Sequence, residues 1–240
     1  MIEKYKLILA TLVAAILFAS GSATAFQGFS IGVIGNYATF DTSGTEKEGN
    51  RNNSPDINTG SISTDVDFGS MFVEYTMGET FGATIGIEHV PGDATIGTKT
   101  RADTVSDSDE SSTDTGTYTG KAEISDYYMF YVEPTLMANV ETGGFNFGVY
   151  AKGGVNRITV RTLESIAIGT DSSTYGNEDV WGVTYGFGVK GVHSSGLFFK
   201  LEGIQTEYGK VTFNSTTGNK NLITADPEST AGRIAIGYNF

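Results

Sequence analysis

The chain carries 28 acidic and 15 basic side chains among 240 residues, a formal charge of −13 at pH 7, and it contains 32 glycines and no cysteine. An acidic total without a local basic stripe repels phosphate backbones, so a nucleic-acid partner is disfavoured. The lack of cysteine excludes a disulfide-held scaffold, thiol catalysis and Cys-ligated zinc or iron–sulfur centres, which leaves hydrogen-bonded ladders and burial to hold the fold.

Residues 1–25 read as an export signal: Glu3, Lys4 and Lys6 precede an apolar run from Leu7 to Ala19, and small residues follow, ending Ala23-Thr24-Ala25. The run is shorter than the roughly 20 residues a membrane-spanning helix needs. The A-x-A pattern predicts cleavage between Ala25 and Phe26, so that the mature chain begins at Phe26 and, having lost a net +1, carries a charge of −14. Residues 26–240 hold no Gly/Pro-rich divider and read as one domain.

From there the sequence alternates at period two, in segments rich in Gly, Tyr, Phe, Val and Ile, with no helical period. The first segment sets Phe29, Ile31, Val33 and Tyr37 against Gly28, Ser30, Gly32 and Asn36. Strands are expected at 27–40, 66–78, 81–90, 123–139, 145–160, 179–192, 196–213 and 229–240. Tight connections (Gly78-Glu79-Thr80, Glu141-Thr142-Gly143-Gly144, Ser194-Ser195-Gly196) alternate with long ones at 41–65, 91–122, 161–178 and 214–228. Short turns at one end and long loops at the other fit an eight-stranded antiparallel up-and-down transmembrane β-barrel, both mature termini on the short-turn, periplasmic side. Pro134 sits inside the fourth strand and removes a ladder donor, for which a bulge near the short-turn end is the expected remedy.

One face of these strands is free of charge: Met71, Val73, Tyr75, Ala83, Ile85, Ile87, Tyr128, Phe130, Val132, Leu136, Phe147, Val149, Val155, Val183, Tyr185, Phe187, Val189, Leu197, Phe199 and Leu201. A lipid-facing Arg or Lys costs roughly 2–4 kcal/mol at the bilayer midplane, so this face is the one expected to meet lipid; a soluble β-sandwich with the same face as its core is the alternative, which leaves the sorted loops and the terminal aromatic unexplained. The opposite face collects Glu74, Glu88, Glu133, Lys152, Lys190, Lys200, Glu202 and Arg233. Four acids opposite four bases predict an ion-pair network across a lumen that eight strands make just wide enough for side chains to fill, with inward glycines making room for the long ones. Trp181, Tyr37, Tyr75, Tyr128, Tyr150, Tyr185, Tyr208, Tyr238 and Phe240, mostly near segment ends, fit aromatic girdles at the two interfaces, although some, such as Tyr150, point inward by parity.

The last strand, with Ile234, Ile236, Tyr238 and a terminal Phe240 on one face, resembles the C-terminal signature of outer-membrane barrels. The mature chain is similar to the small eight-stranded class that includes the OmpA barrel, OmpX-like proteins and opacity-type adhesins, without a periplasmic peptidoglycan-binding domain. That resemblance implies a place in the outer membrane of a Gram-negative bacterium, recognition of residues 234–240 by the barrel assembly machinery, and outer-membrane lipid and lipopolysaccharide as neighbours of a monomer. The likeness says little about activity; the residues themselves favour a non-enzymatic surface protein with a plugged, ion-paired interior that presents four polar loops for adhesion or surface interaction, with no cofactor expected. The alternatives are a narrow channel for small solutes and a lipid A-modifying enzyme.

Three candidate chemistries deserve weighing. His193-Ser194-Ser195 has the H-x-S spacing of deacylase-type barrels but falls in a short turn, away from the outer leaflet, and His89 lacks a Ser and a carboxylate at strand spacing. Asp103, Asp107, Asp109, Glu110 and Asp114 in the second loop offer oxygen ligands to a divalent cation but fit no calcium-loop spacing, and a solvated acidic tip is the plainer reading. Arg157 and Arg161, at the outer end of the fifth strand, are candidates to grip lipopolysaccharide phosphates.

Overall fold

The computed structural model describes residues 27–47, 57–104, 115–168, 175–215 and 221–240. The signal segment, with Ala23, Ala25 and Phe26, lies outside the described residues, as do Asp107, Asp109, Glu110 and Asp114 of the acidic loop.

Ten strands follow one another antiparallel: β1 (Gly28–Lys47), β2 (Ile57–Met77), β3 (Phe81–Val90), β4 (Ala94–Thr104), β5 (Thr115–Thr142), β6 (Phe145–Ile168), β7 (Asn177–His193), β8 (Leu197–Tyr208), β9 (Val211–Asn214) and β10 (Leu222–Asn239). They build eight staves. β3 and β4 both pair with β5 and form one stave interrupted at 91–93, where Pro91 has no N–H to carry the ladder on. β8 and β9 both pair with β10 and form another, interrupted at 209–210. The ring closes where β1 runs along β10 from Ser30↔Asn239 to Lys47↔Leu222. Phe240 adds a last rung, its N–H donating to the Phe29 carbonyl at 2.9 Å. The short turns hold Gly78 and Gly196 at φ of 85° and 93°, values that a side chain rarely adopts.

The strands outrun the sequence-based expectation at the long-loop end. Residues 41–47, 57–65, 94–104, 115–122, 161–168 and 222–228, expected as loops, are ladder. The connections beyond them are correspondingly shorter, and the barrel stands well above its apolar belt as a collar. The bulge expected near the short-turn end of the Pro134 strand is present, but not at Pro134 itself. The β5–β6 register runs without shift from Tyr128↔Arg157 to Met137↔Gly148, and the bulge falls beyond it, between Met137 and Glu141. Beside Pro134 the Glu133 carbonyl accepts the Thr135 hydroxyl at 3.2 Å, a bond that does not replace the missing Pro134 N–H.

Alternation decides which side chains meet solvent or lipid, and it reverses with height. In the lower half the outward side chains are Phe29, Ile31, Val33, Met71, Val73, Ile87, Phe130, Val149, Phe187 and Leu201, all exposed, while Glu74, Glu88, Glu133, Lys152, Lys200 and Arg233 are buried inside. Above Tyr37 and Trp181 the outward positions become Thr39, Asp41, Asp65, Asp67, Asp179, Asp226 and Glu228, and the inward ones Ala38, Phe40, Ile158, Val160, Val180, Val211 and Phe213. The lower half is a belt made to face hydrocarbon, the upper half a small water-facing barrel with an apolar interior. A second, smaller apolar layer of Ile34, Phe72, Met137, Val192, Phe198 and Ala235 lines the lumen nearer the short turns.

Candidate functional site

Between the two apolar layers, inward positions of β2, β3, β5, β6, β8 and β10 converge on one chain of alternating charges. Lys200 Nζ donates to Glu74 Oε2 at 2.6 Å and to Glu133 Oε2 at 2.8 Å. Glu133 Oε1 lies 3.1 Å from Lys152 Nζ, which donates to Glu202 Oε1 at 2.8 Å. Glu202 Oε1 is 3.2 Å from Arg233 Nη1, and Arg233 Nη2 donates to Glu88 Oε2 at 2.5 Å. The order is thus Glu74, Lys200, Glu133, Lys152, Glu202, Arg233, Glu88, with every side chain in it almost wholly buried.

Lys190 is the exception among the eight expected residues. It is buried but makes no ion pair among the described residues. Its position explains this: it stands beside Lys200 across the β7–β8 pair, like charge next to like, with both neighbouring carboxylates turned to Lys200 and Lys152. It balances the four acids at longer range.

Hydroxyls complete the network, and alternation places all of them inward. Tyr131 donates to Glu74 and Tyr150 to Glu202, each at 2.8 Å, and Ser70 donates to Glu88 at 2.6 Å. Lys152 Nζ also lies 4.4 Å from the centre of the Tyr131 ring, a cation–π contact in a dry site. Gly188 makes room for one of these rings: a Cβ there would meet Tyr150 at 2.6 Å. Above them Asn156 donates to Thr184 at 2.7 Å, and Thr184 is hydrogen-bonded to Thr206 at 2.8 Å.

The histidines lie apart from this network. His89 faces outward, stacked on Tyr128 with ring centres 4.4 Å apart, and its Nδ1 is 3.0 Å from the Tyr127 carbonyl. His193 Nδ1 is 2.8 Å from Ser195 Oγ and also accepts the Ser195 N–H at 3.1 Å. That is a side chain closing its own turn. His193 also meets Phe145 edge-on, and among the described residues no carboxylate hydrogen-bonds to it.

At the outer rim, Tyr37 donates to Asp65 at 3.2 Å and Tyr185 to Glu207 at 3.1 Å, hydroxyls pointing from the belt to the acids above it. Arg157 and Arg161, expected as phosphate ligands, are already engaged, with Asp179 at 2.5 Å and Asp93 at 3.2 Å. The Arg157 guanidinium, then the Thr159 hydroxyl, hydrogen-bond the Asp179 carboxylate and hold its pKa below the usual aspartate value. Such a group contributes stability above its unfolded pKa, and the contribution is lost as pH falls through the folded one. Followed by carboxyl NMR, Asp179 is expected to titrate below about 3.9 and to move back toward that value in Arg157→Gln.

No family model matches the chain, and no curated protein does. Among solved structures, it is similar to Ail, the attachment invasion locus protein of Yersinia pestis, in complex with the heparin analogue sucrose octasulfate (10% identity over 86% of this chain and 99% of that one, TM-score 0.35). It is also similar to Neisserial surface protein A (11%, 89% and 97%, TM-score 0.37) and to the outer membrane protease OmpT from Escherichia coli (9%, 92% and 100%, TM-score 0.43). Eight closed staves, an uncharged outward belt and a charged lumen make the architecture that of a small outer-membrane β-barrel.

Proposed function

We propose that the chain is exported, cut between Ala25 and Phe26, and inserted in the outer membrane as a monomeric, non-enzymatic surface barrel with a plugged interior, its collar presenting polar contacts for adhesion. The barrel assembly machinery would read Ile234, Ile236, Tyr238 and Phe240, and lipopolysaccharide would surround the rim. The observation that carries this reading is the reversal of polarity with height. Apolar outward residues give way above Tyr37 and Trp181 to Asp41, Asp65, Asp179 and Glu228, so a rigid acidic wall rises from the belt. A wall of strands holds its contact residues in fixed register, as a recognition surface requires. Its acidic face suits a cationic partner.

The ion-paired cross-section favours a plug over the channel alternative, since seven of the eight lumen charges are engaged with one another and leave no row of free ligands for a passing ion. The non-enzymatic reading is supported by His89 and His193, each hydrogen-bonded, among the described residues, to a group other than a carboxylate. Purified protein in planar bilayers is expected to give no stable single-channel steps, whereas Arg233→Ala, which opens the link between Glu202 and Glu88, raises the conductance. Reproducible steps from the unmutated chain would defeat the plug.

A further inference from the structure

The collar interior holds a cavity of about 400 Å³. Its floor and walls are apolar: Phe40, Ile124, Ile158, Val160, Phe213 and Ile223. Its upper end carries Glu46, Asn58 and Lys121. The volume falls in the roughly 300–1,000 Å³ range of ligand pockets, and an apolar cavity well under half its size stays dry and takes up small hydrocarbons. Below it the charged network bars any continuation toward the short turns. The cavity is therefore a dead-end pocket with one greasy end and one polar end.

What could fill it is limited by composition. The four segments between the collar strands, 48–56, 105–114, 169–174 and 216–220, contain by sequence a single aliphatic residue, Val105, besides Pro55. The chain thus supplies no hydrophobic plug of its own from them. At the polar end the Glu46 carboxylate is already met, its Oε1 accepting from Asn221 at 3.2 Å, while the Lys121 side chain, next to inward Ala122, turns outward to Glu123. A charged head would have to displace Asn221, but a hydroxyl would not.

We propose that this cavity binds an uncharged single-chain amphiphile, its hydrocarbon tail against Ile124, Ile158 and Phe213 and its hydroxyl-bearing head beside Glu46 and Asn58. The site lies inside the collar and is independent of what the collar's outer face contacts.

The test uses the full folded barrel in nanodiscs, with isotope-labelled isoleucine methyls, titrated with 1-decanol. The methyls of Ile124, Ile158 and Ile223 are expected to shift saturably. Those of Ile31, Ile87 and Ile236 on the belt should drift linearly as the alcohol dissolves in lipid, and 1-butanol should reproduce only the drift. Ala122→Phe, which projects a ring into the cavity, is expected to weaken binding about ten-fold or more, the discrimination a pocket exerts against about one misplaced methylene. Should that variant not fold, a fatty alcohol bearing a nitroxide near its terminal methyl decides the matter in the unmutated chain. Broadening of Ile158 well beyond that of Ile34 supports the site. Collar shifts that never saturate, or equal broadening at both methyls, would overturn it.

Discussion

Lys200→Met is expected to cost about 3–5 kcal/mol in urea-induced unfolding from lipid vesicles, the penalty for removing one partner of a buried ion pair. Among the described residues Lys200 is the only cation bonded to Glu74 and one of two bonded to Glu133, so its loss strands one carboxylate and half-strands another in the buried lumen. Methionine keeps the length of the side chain, so the change is one of charge and not of volume. Glu74→Gln in the same background is expected to recover part of the loss, because the stranded charge is then gone. A double-mutant cycle isolates that coupling. Lys190→Met is the control: equally buried, but outside the chain of ion pairs, it should cost distinctly less. Equal losses at 190 and 200 would mean that burial alone, and not the chain of charges, sets the energetics of the lumen.

The same two lysines mark how far the sequence could be read. Alternation fixes the face a residue occupies, which is why Glu74, Glu133, Lys152 and Arg233 could all be turned inward from sequence. It does not fix the height at which residues of different staves meet, since that depends on the stagger of the ring, and so the isolation of Lys190 was not legible. Parity turned Tyr150 inward too, but its bond into the network, like that of Tyr131, was hidden by residue type, because tyrosine in a barrel first suggests a girdle. The collar was missed for a further reason. A search for segments with apolar residues outward stops where Phe40 turns in and Asp41 turns out, although strand continues to Lys47. Around Thr159 and Arg161 the ladder likewise continues, since Ile158 and Val160 alternate as strictly as the belt does but into the lumen. Bounds were legible where the whole strand lies in the belt, as for Phe81–Val90, and not where the strand crosses from one solvent to another.

That crossing yields the second large effect. Phe187 lies midway along β7 between Trp181 and His193, points outward and is 76% exposed, the condition of a side chain standing in acyl chains at mid-depth. Phe187→Arg is expected to lose roughly 2–4 kcal/mol of folding free energy in bilayers, less whatever the guanidinium recovers by reaching toward an interface. Thr45→Arg, an outward position of the collar on β1, is expected to change stability by no more than about 0.5 kcal/mol, since it moves a charge only from water to water. The measurement is the difference between the two variants, each unfolded by urea from vesicles of the same lipid, with a shift in gel mobility between unheated and boiled samples confirming that each had folded. A water-soluble barrel with this surface would tolerate both arginines alike. Equal effects at 187 and 45 would remove the lipid from around the belt, and a large gap in favour of Thr45→Arg places the water boundary between them.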